Sequence, residues 1–127
     1  MPGEQQLRAL HDAFSRGDMD TVLSYCTEDI VFHVPGHNQV AGEYKGRDAF
    51  LEMVGKVMQL SGGTFREELL DALANDRHGV ALAYHTLERS GKKHEYHTVH
   101  VWRVRGDKYC EWFEHPGETA AFDAAWS

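Results

Sequence analysis

His33-Val34-Pro35-Gly36-His37-Asn38-Gln39-Val40-Ala41-Gly42-Glu43-Tyr44-Lys45-Gly46-Arg47-Asp48 begins where an apolar run, Ile30-Val31-Phe32, ends, and it leads into a segment of helical period. Pro35 fixes φ and Gly36 supplies positive φ, so the chain turns at the end of a strand. A second turn, Gly42-x-Tyr44-x-Gly46, follows directly. Strand, paired turns and helix in that order form the junction from which the remaining elements are placed.

Upstream, Leu7, Leu10, Ala13 and Phe14 fall on one helical face, and Gly17 ends that helix at its C′ position. Asp18 can cap a second, shorter helix carrying Val22, Leu23, Tyr25 and Cys26. A first strand covers residues 28–34. Downstream, Phe50, Met53, Val54, Val57 and Met58 keep helical spacing, with Asp48 as cap and Ser61-Gly62-Gly63 as stop. Residues 65–74 are ambiguous, because Glu67-Glu68-Leu69-Leu70-Asp71-Ala72-Leu73-Ala74 is rich in helix formers. Residues 80–89, 94–104 and 109–115 read as three antiparallel strands joined by tight turns. Pro116-Gly117 breaks the last of them, and residues 118–126 suit a short terminal helix.

Helices first and a meander afterwards imply an α+β domain with helices on one face of a curved sheet. At 127 residues the chain reads as one domain, 1–127, with 42% hydrophobic residues to build its core. A net charge of −7 leaves no basic stripe for nucleic acid and nothing suited to an anionic membrane. The first twenty residues lack the continuous apolar stretch of a signal peptide, and no run approaches membrane-spanning length. Cys26 and Cys110 match neither a zinc nor a thioredoxin spacing, which points to reduced thiols in a cytoplasmic protein.

Hairpin arithmetic locates candidate chemistry. A turn centred between Gly91 and Lys92 sets His85 opposite Thr98 and Ala83 opposite His100. A two-residue turn at Gly106-Asp107 sets Trp102 opposite Glu111, His100 opposite Phe113 and Thr98 opposite His115. Side chains alternate along strands, so one face gathers His85, His100, His115, Glu111, Trp102 and Phe113, with small Ala81 and Ala83 leaving room for a ligand. A one-residue bulge would reverse the last strand and bring Trp112 and Glu114 inward instead. The opposite face of the long hairpin presents Val80, Leu82, Tyr84, Val99 and Val101, too apolar to leave in water, so a homodimer is expected. His94-x-x-His97-x-x-His100 has the look of a metal run, but His97 points away from the other two on a strand, and no metal site is expected. Gly-rich phosphate loops and nucleophile elbows are absent.

Residues 33–48, together with Phe14-Ser15-Arg16-Gly17-Asp18, Val101-Trp102-Arg103-Val104-Arg105-Gly106-Asp107-Lys108 and Ala121-Phe122-Asp123, resemble the SnoaL-like family of the nuclear transport factor 2-like superfamily. That superfamily also holds ketosteroid isomerases and polyketide cyclases, and the resemblance runs from about residue 4 to the end. It implies a cone-shaped, cystatin-like fold in which a curved antiparallel sheet and the N-terminal helices enclose a pocket, and it makes residues 65–74 a strand. Related folds pair through the outer face of the sheet. The family's usual Asp-Gly in the last hairpin is Gly106-Asp107 here. Aligned on Pro35, the isomerases' catalytic Asp falls on Val34, their donor Tyr on Leu10 and their oxyanion-site Asp on His100. These mismatches argue against steroid isomerisation.

The resemblance implies cofactor-free acid-base chemistry of the isomerase, cyclase or lyase type on a hydrophobic carbonyl compound. The candidate catalytic residues are His100, His85, Glu111, His115 and His33, and Trp102, Phe113 and Tyr44 are candidate substrate contacts. Imidazoles beside a carboxylate under aromatic rings suit proton transfer near neutrality; ketosteroid isomerase is the worked example of that logic. The alternative is a protein of the same fold that binds a small hydrophobic ligand or a partner without turnover.

Overall fold

The structure, a computed structural model, describes residues 3–127. Helix α1 (Glu4–Ser15) buries Leu7, Leu10, His11 and Ala13 on one face. Helix α2 (Met19–Ser24) is capped by Asp18, whose carboxylate accepts from the Thr21 amide at 3.2 Å. Strand β1 (Cys26–Val34) starts at Cys26, which the helical reading had included in α2. The stretch between Gly42 and Gly46 is more than a turn. It contains strand β2 (Gly42–Lys45), which pairs antiparallel with β1 and sets Tyr44 opposite Phe32. Helix α3 (Arg47–Leu60) is entered through Gly46 at φ 89°, so Asp48 lies inside the first turn and is not the cap.

Residues 65–74 are extended, as the family resemblance implied. Strand β3 (Arg66–Ala74) pairs along its length with β4 (His78–Arg89). Tertiary pairing overrides the helical propensity of its Glu, Leu and Ala residues. Strands β5 (Lys92–Arg105) and β6 (Lys108–Pro116) complete a six-stranded sheet of order β2-β1-β6-β5-β4-β3. Among the described residues, only β1 and β6 run parallel. Helix α1 packs on the β3 and β4 end and α3 on the β1 and β2 end, and α4 (Thr119–Ala125) lies against β5. The core between them holds Leu7, Leu10, Ile30, Phe32, Trp102, Tyr109 and Trp126. This is the nuclear transport factor 2-like, cystatin-like fold. Among the described residues, no helix is long and apolar enough to cross a membrane.

Two turns decide which side chains face inward. The β4–β5 turn is Ser90-Gly91, both at positive φ (53° and 77°), the signature of a type I′ turn. Ala83 therefore pairs with Thr98 and Ala81 with His100, two residues from the expected register. A shift of two returns every side chain to its own face, so His85, His100 and Trp102 stay together. The β5–β6 turn lies at Gly106-Asp107, as expected, with Val104 opposite Tyr109. Immediately beyond it, Arg103 faces Glu111, so Cys110 has no partner and forms a bulge. The bulge reverses the rest of β6. Trp112 and Glu114 turn inward, opposite Trp102 and His100, while Glu111, Phe113 and His115 turn outward.

Candidate functional site

Five ionisable side chains meet at one end of a cavity of about 80 Å³. They come from five elements: His11 from α1, Glu67 from β3, His85 from β4, His100 from β5 and Glu114 from β6. The rest of the wall is apolar, with Phe50, Met53, Val54, Val57 and Met58 supplied by α3 and Phe122 and Trp126 by the C-terminal segment. His11 reaches the site because it follows Leu10 and lies four residues after Leu7, on the buried face of α1. Glu67 shares strand parity with Phe65 and Leu69, and its side chain is only 1% exposed.

Two hydrogen-bond chains end on Glu67. In one, Trp102 Nε1 donates to His11 Nε2 at 3.3 Å, and His11 Nδ1 reaches Glu67 Oε2 at 2.8 Å. The indole can only donate, so the network assigns the proton of His11 to Nδ1. In the other, Trp126 Nε1 donates to the Tyr96 hydroxyl at 3.0 Å, the hydroxyl lies 3.0 Å from His85 Nδ1, and His85 Nε2 reaches Glu67 Oε1 at 2.8 Å. His85 Nε2, facing a carboxylate, donates to Glu67, and the Tyr96 hydroxyl pairs with its other nitrogen. Burial alone would raise the Glu67 carboxyl, but the hydrogen bonds from His11 and His85 outweigh it and hold the group well below its ordinary value. Burial and the nearby Glu114 charge push the Tyr96 hydroxyl well above its ordinary value, which keeps its proton in place.

His100 and Glu114 are the two groups these chains leave free. Among the described residues, neither ring nitrogen of His100 has a hydrogen-bond partner, although the residue is only 4% exposed. Its Nδ1 lies 3.7 Å from Glu67 Oε1 and its Nε2 3.5 Å from Glu114 Oε2. Burial lowers the His100 imidazole below its ordinary value, and the two carboxylates pull in the opposite direction. Glu114 accepts from Thr98 Oγ1 at 3.1 Å. Burial would raise Glu114 too, but His100, His85 and Thr98 bring it below the ordinary carboxylate value. Donor atoms of His85, His100 and Glu114, and likewise of His11, Glu67 and His100, lie within 4.8 Å of one another, close enough to surround a cation. His11 Nε2 and His85 Nδ1 are already committed to Trp102 and Tyr96, so a cation at either place would have to displace a hydrogen bond.

His85, His100 and Trp102 are therefore brought together as expected, and the other candidates lie elsewhere. His33, Glu111, Phe113 and His115 occupy the outer face of the sheet. There His33 Nε2 lies 2.6 Å from Glu111 Oε2, Arg103 Nε donates to Glu111 Oε1 at 2.8 Å, and Phe113 stacks on both His33 and His115. The unpaired Cys110 put Glu111, Phe113 and His115 there. Tyr44 is buried away from the cavity, its hydroxyl donating to Val40 O at 2.7 Å. Ala81 and Ala83 are buried without lining the cavity, which lies instead between the sheet and α3. Val34 and Leu10, at the isomerases' acid positions, do line it as apolar wall. His97 points away from His94 and His100 to pair with Glu118 at 2.8 Å.

The SnoaL-like domain family matches residues 7–112. An uncharacterized protein of Mycobacterium tuberculosis is 26% identical over 122 residues, covering 95% of this chain and 93% of its own. Bal32a, from a soil-derived mobile gene cassette, is 30% identical, with a TM-score of 0.89 over 95% of this chain and 93% of that one. TerC, solved as a co-crystal with polyporic acid, is 20% identical, with a TM-score of 0.81 over 94% of this chain and 93% of that one.

Proposed function

The chain belongs to the SnoaL-like family, and from that premise we propose that it is a small-molecule enzyme performing acid-base chemistry on a hydrophobic carbonyl compound in the cavity between α3 and the sheet. One observation carries this reading. Two hydrogen-bond chains lock His11 and His85 onto Glu67 and leave His100 and Glu114 as the unlocked, cavity-lining pair. Glu114 takes the proton from the carbon next to the carbonyl, and the C–H electron pair passes to the carbonyl oxygen. His100 stabilises the resulting enolate by hydrogen bonding. Return of the proton to another carbon isomerises the ligand, and attack of the enolate carbon on a second carbonyl, whose oxygen takes the proton back from Glu114, cyclises it. Glu67, already bonded to two imidazoles, takes no proton and orients the cluster.

The co-crystal of TerC with polyporic acid supports a small organic ligand for this fold. The cavity of about 80 Å³ is roughly half the ~150 Å³ that admits benzene in an engineered apolar cavity. A ring-sized ligand therefore shifts wall side chains, for which Met53 and Met58 are suited by their unbranched, flexible stems. The apolar wall equally supports a binder without turnover, and one experiment separates the two readings. Deuterium uptake from heavy water at the α-carbons of methyl cyclohexyl ketone should rise well above buffer with the wild-type protein. It should fall about 10²-fold or more in His100→Phe and Glu114→Gln. No uptake above buffer would leave only the binder. We also propose pairing of two chains through the outer face around Leu82, and a reducing compartment, the cytoplasm, which suits the buried free thiols Cys26 and Cys110.

A further inference from the structure

We infer that the cavity takes uncharged carbonyl compounds and rejects those bearing a carboxylate, phosphate or other anionic group. This rests on the cavity being the ligand site and names the class of ligand it admits. The wall contains two carboxylates, Glu67 and Glu114, and neither lysine nor arginine. Basic side chains of β4 and α3 make hydrogen bonds elsewhere. Arg89 Nη1 donates to Ala125 O at 3.0 Å and Ser127 O at 2.6 Å, Arg47 Nη2 to Cys26 O at 2.7 Å, and Lys56 Nζ to the Tyr44 hydroxyl at 3.3 Å.

His11 and His85 are turned onto Glu67 at 2.8 Å each, and their other nitrogens are taken by Trp102 and Tyr96, so neither presents a free N–H to an anionic ligand. Both carboxyls are held below their ordinary value and flank His100 at 3.7 and 3.5 Å, so the polar end presents two negative charges to a ligand. In a buried, weakly screened cavity an anionic ligand meets repulsion that no neighbouring cation offsets. Acidic and phosphorylated metabolites, and compounds carrying a phosphorylated carrier inside the cavity, are therefore excluded. An upstream reaction must deliver the substrate as a ketone, quinone or comparable neutral carbonyl.

The test uses two probes of nearly one shape, methyl cyclohexyl ketone and cyclohexanecarboxylate, which differ by a methyl group against a charged oxygen. Binding is followed at pH 8 by calorimetry and by fluorescence of Trp102, Trp112 and Trp126, all of which line the cavity. The ketone should bind at least about a hundredfold more tightly than the carboxylate. In Glu114→Gln, or in Glu67→Gln if the first variant fails to fold, the gap should shrink about tenfold. The inference is overturned if the carboxylate binds within tenfold of the ketone, if the ketone does not bind at all, or if the gap survives unchanged in the folded variants. Ketone binding with the stated preference but without deuterium uptake would sink the acid-base role and leave the ligand class standing. Uptake by a protein that also accepts the carboxylate would do the reverse.

Discussion

Replacing Glu67 by Gln should destabilise the fold far more than its near-isosteric shape suggests. The carboxylate accepts from two imidazoles at 2.8 Å each, whereas a carboxamide has one oxygen and must present its NH₂ to the other donor. Reversing a tautomer does not solve this. If His11 turns its lone pair toward Gln, its Nε2 proton meets the Trp102 N–H, and if His85 does so, its Nδ1 proton must share the Tyr96 oxygen that already accepts from Trp126. One charge-assisted hydrogen bond is lost and one buried donor is left unpaired, each worth roughly 1–3 kcal/mol. Relief of a buried charge offsets part of this, leaving a net loss of about 2–4 kcal/mol. A chain of 127 residues has an unfolding entropy of about 0.27 kcal/mol/K at ~2.1 cal/mol/K per residue, so Tm should fall by about 7–15 °C. Glu114→Gln is the matched control, because the Thr98 hydroxyl can reverse its hydrogen bond, and it should cost less than about 1 kcal/mol. Differential scanning calorimetry of the two variants decides the matter. Equal melting temperatures, or a Glu67→Gln protein within a degree or two of wild type, would refute the two-chain network.

His100→Phe should remove deuterium uptake yet shift thermal unfolding by less than about 1 kcal/mol, since neither ring nitrogen makes a hydrogen bond to lose; a large drop in Tm would assign His100 a structural role. Glu67 is held below its ordinary value of 4.5 in the fold, so its contribution to stability is present above that pH and is lost as pH falls through the folded value. The stability gap between wild type and Glu67→Gln should accordingly be constant from about pH 8 to 5 and narrow in acid, as read by urea midpoints at each pH. Deleting Cys110 removes the bulge and would drive Glu111, Phe113 and His115 inward in place of Trp112 and Glu114; the expected result is an unfolded or insoluble chain, and a native circular dichroism spectrum would contradict the register. Leu82, 37% exposed on the outer face among half-buried Val80, Tyr84, Val99 and Val101, should sit in the proposed dimer contact, so Leu82→Lys should yield monomers by light scattering where wild type yields dimers.

Local and periodic signals determined much of this protein. The apolar faces of α1 and α3, the Pro35-Gly36 turn and the two hairpins were legible because each depends on residues close together in sequence. The co-facing of His85, His100 and Trp102 was legible too, since strand parity survives an error of two residues in the Ser90-Gly91 turn. Residues 65–74 marked the limit of that kind of reading, because helix propensity there opposed a strand that exists only through pairing with β4. Their parity with Phe65 and Leu69 could have exposed Glu67, and the apolar face of α1 could have exposed His11. Neither signal says that the two residues meet. Their contact links positions 56 residues apart, and only the packing of α1 across β3 creates it. The last strand turned on less still. One unpaired residue, Cys110, exchanged Glu111, Phe113 and His115 for Trp112 and Glu114, because a strand's side chains alternate with period two and a single extra residue reverses them all.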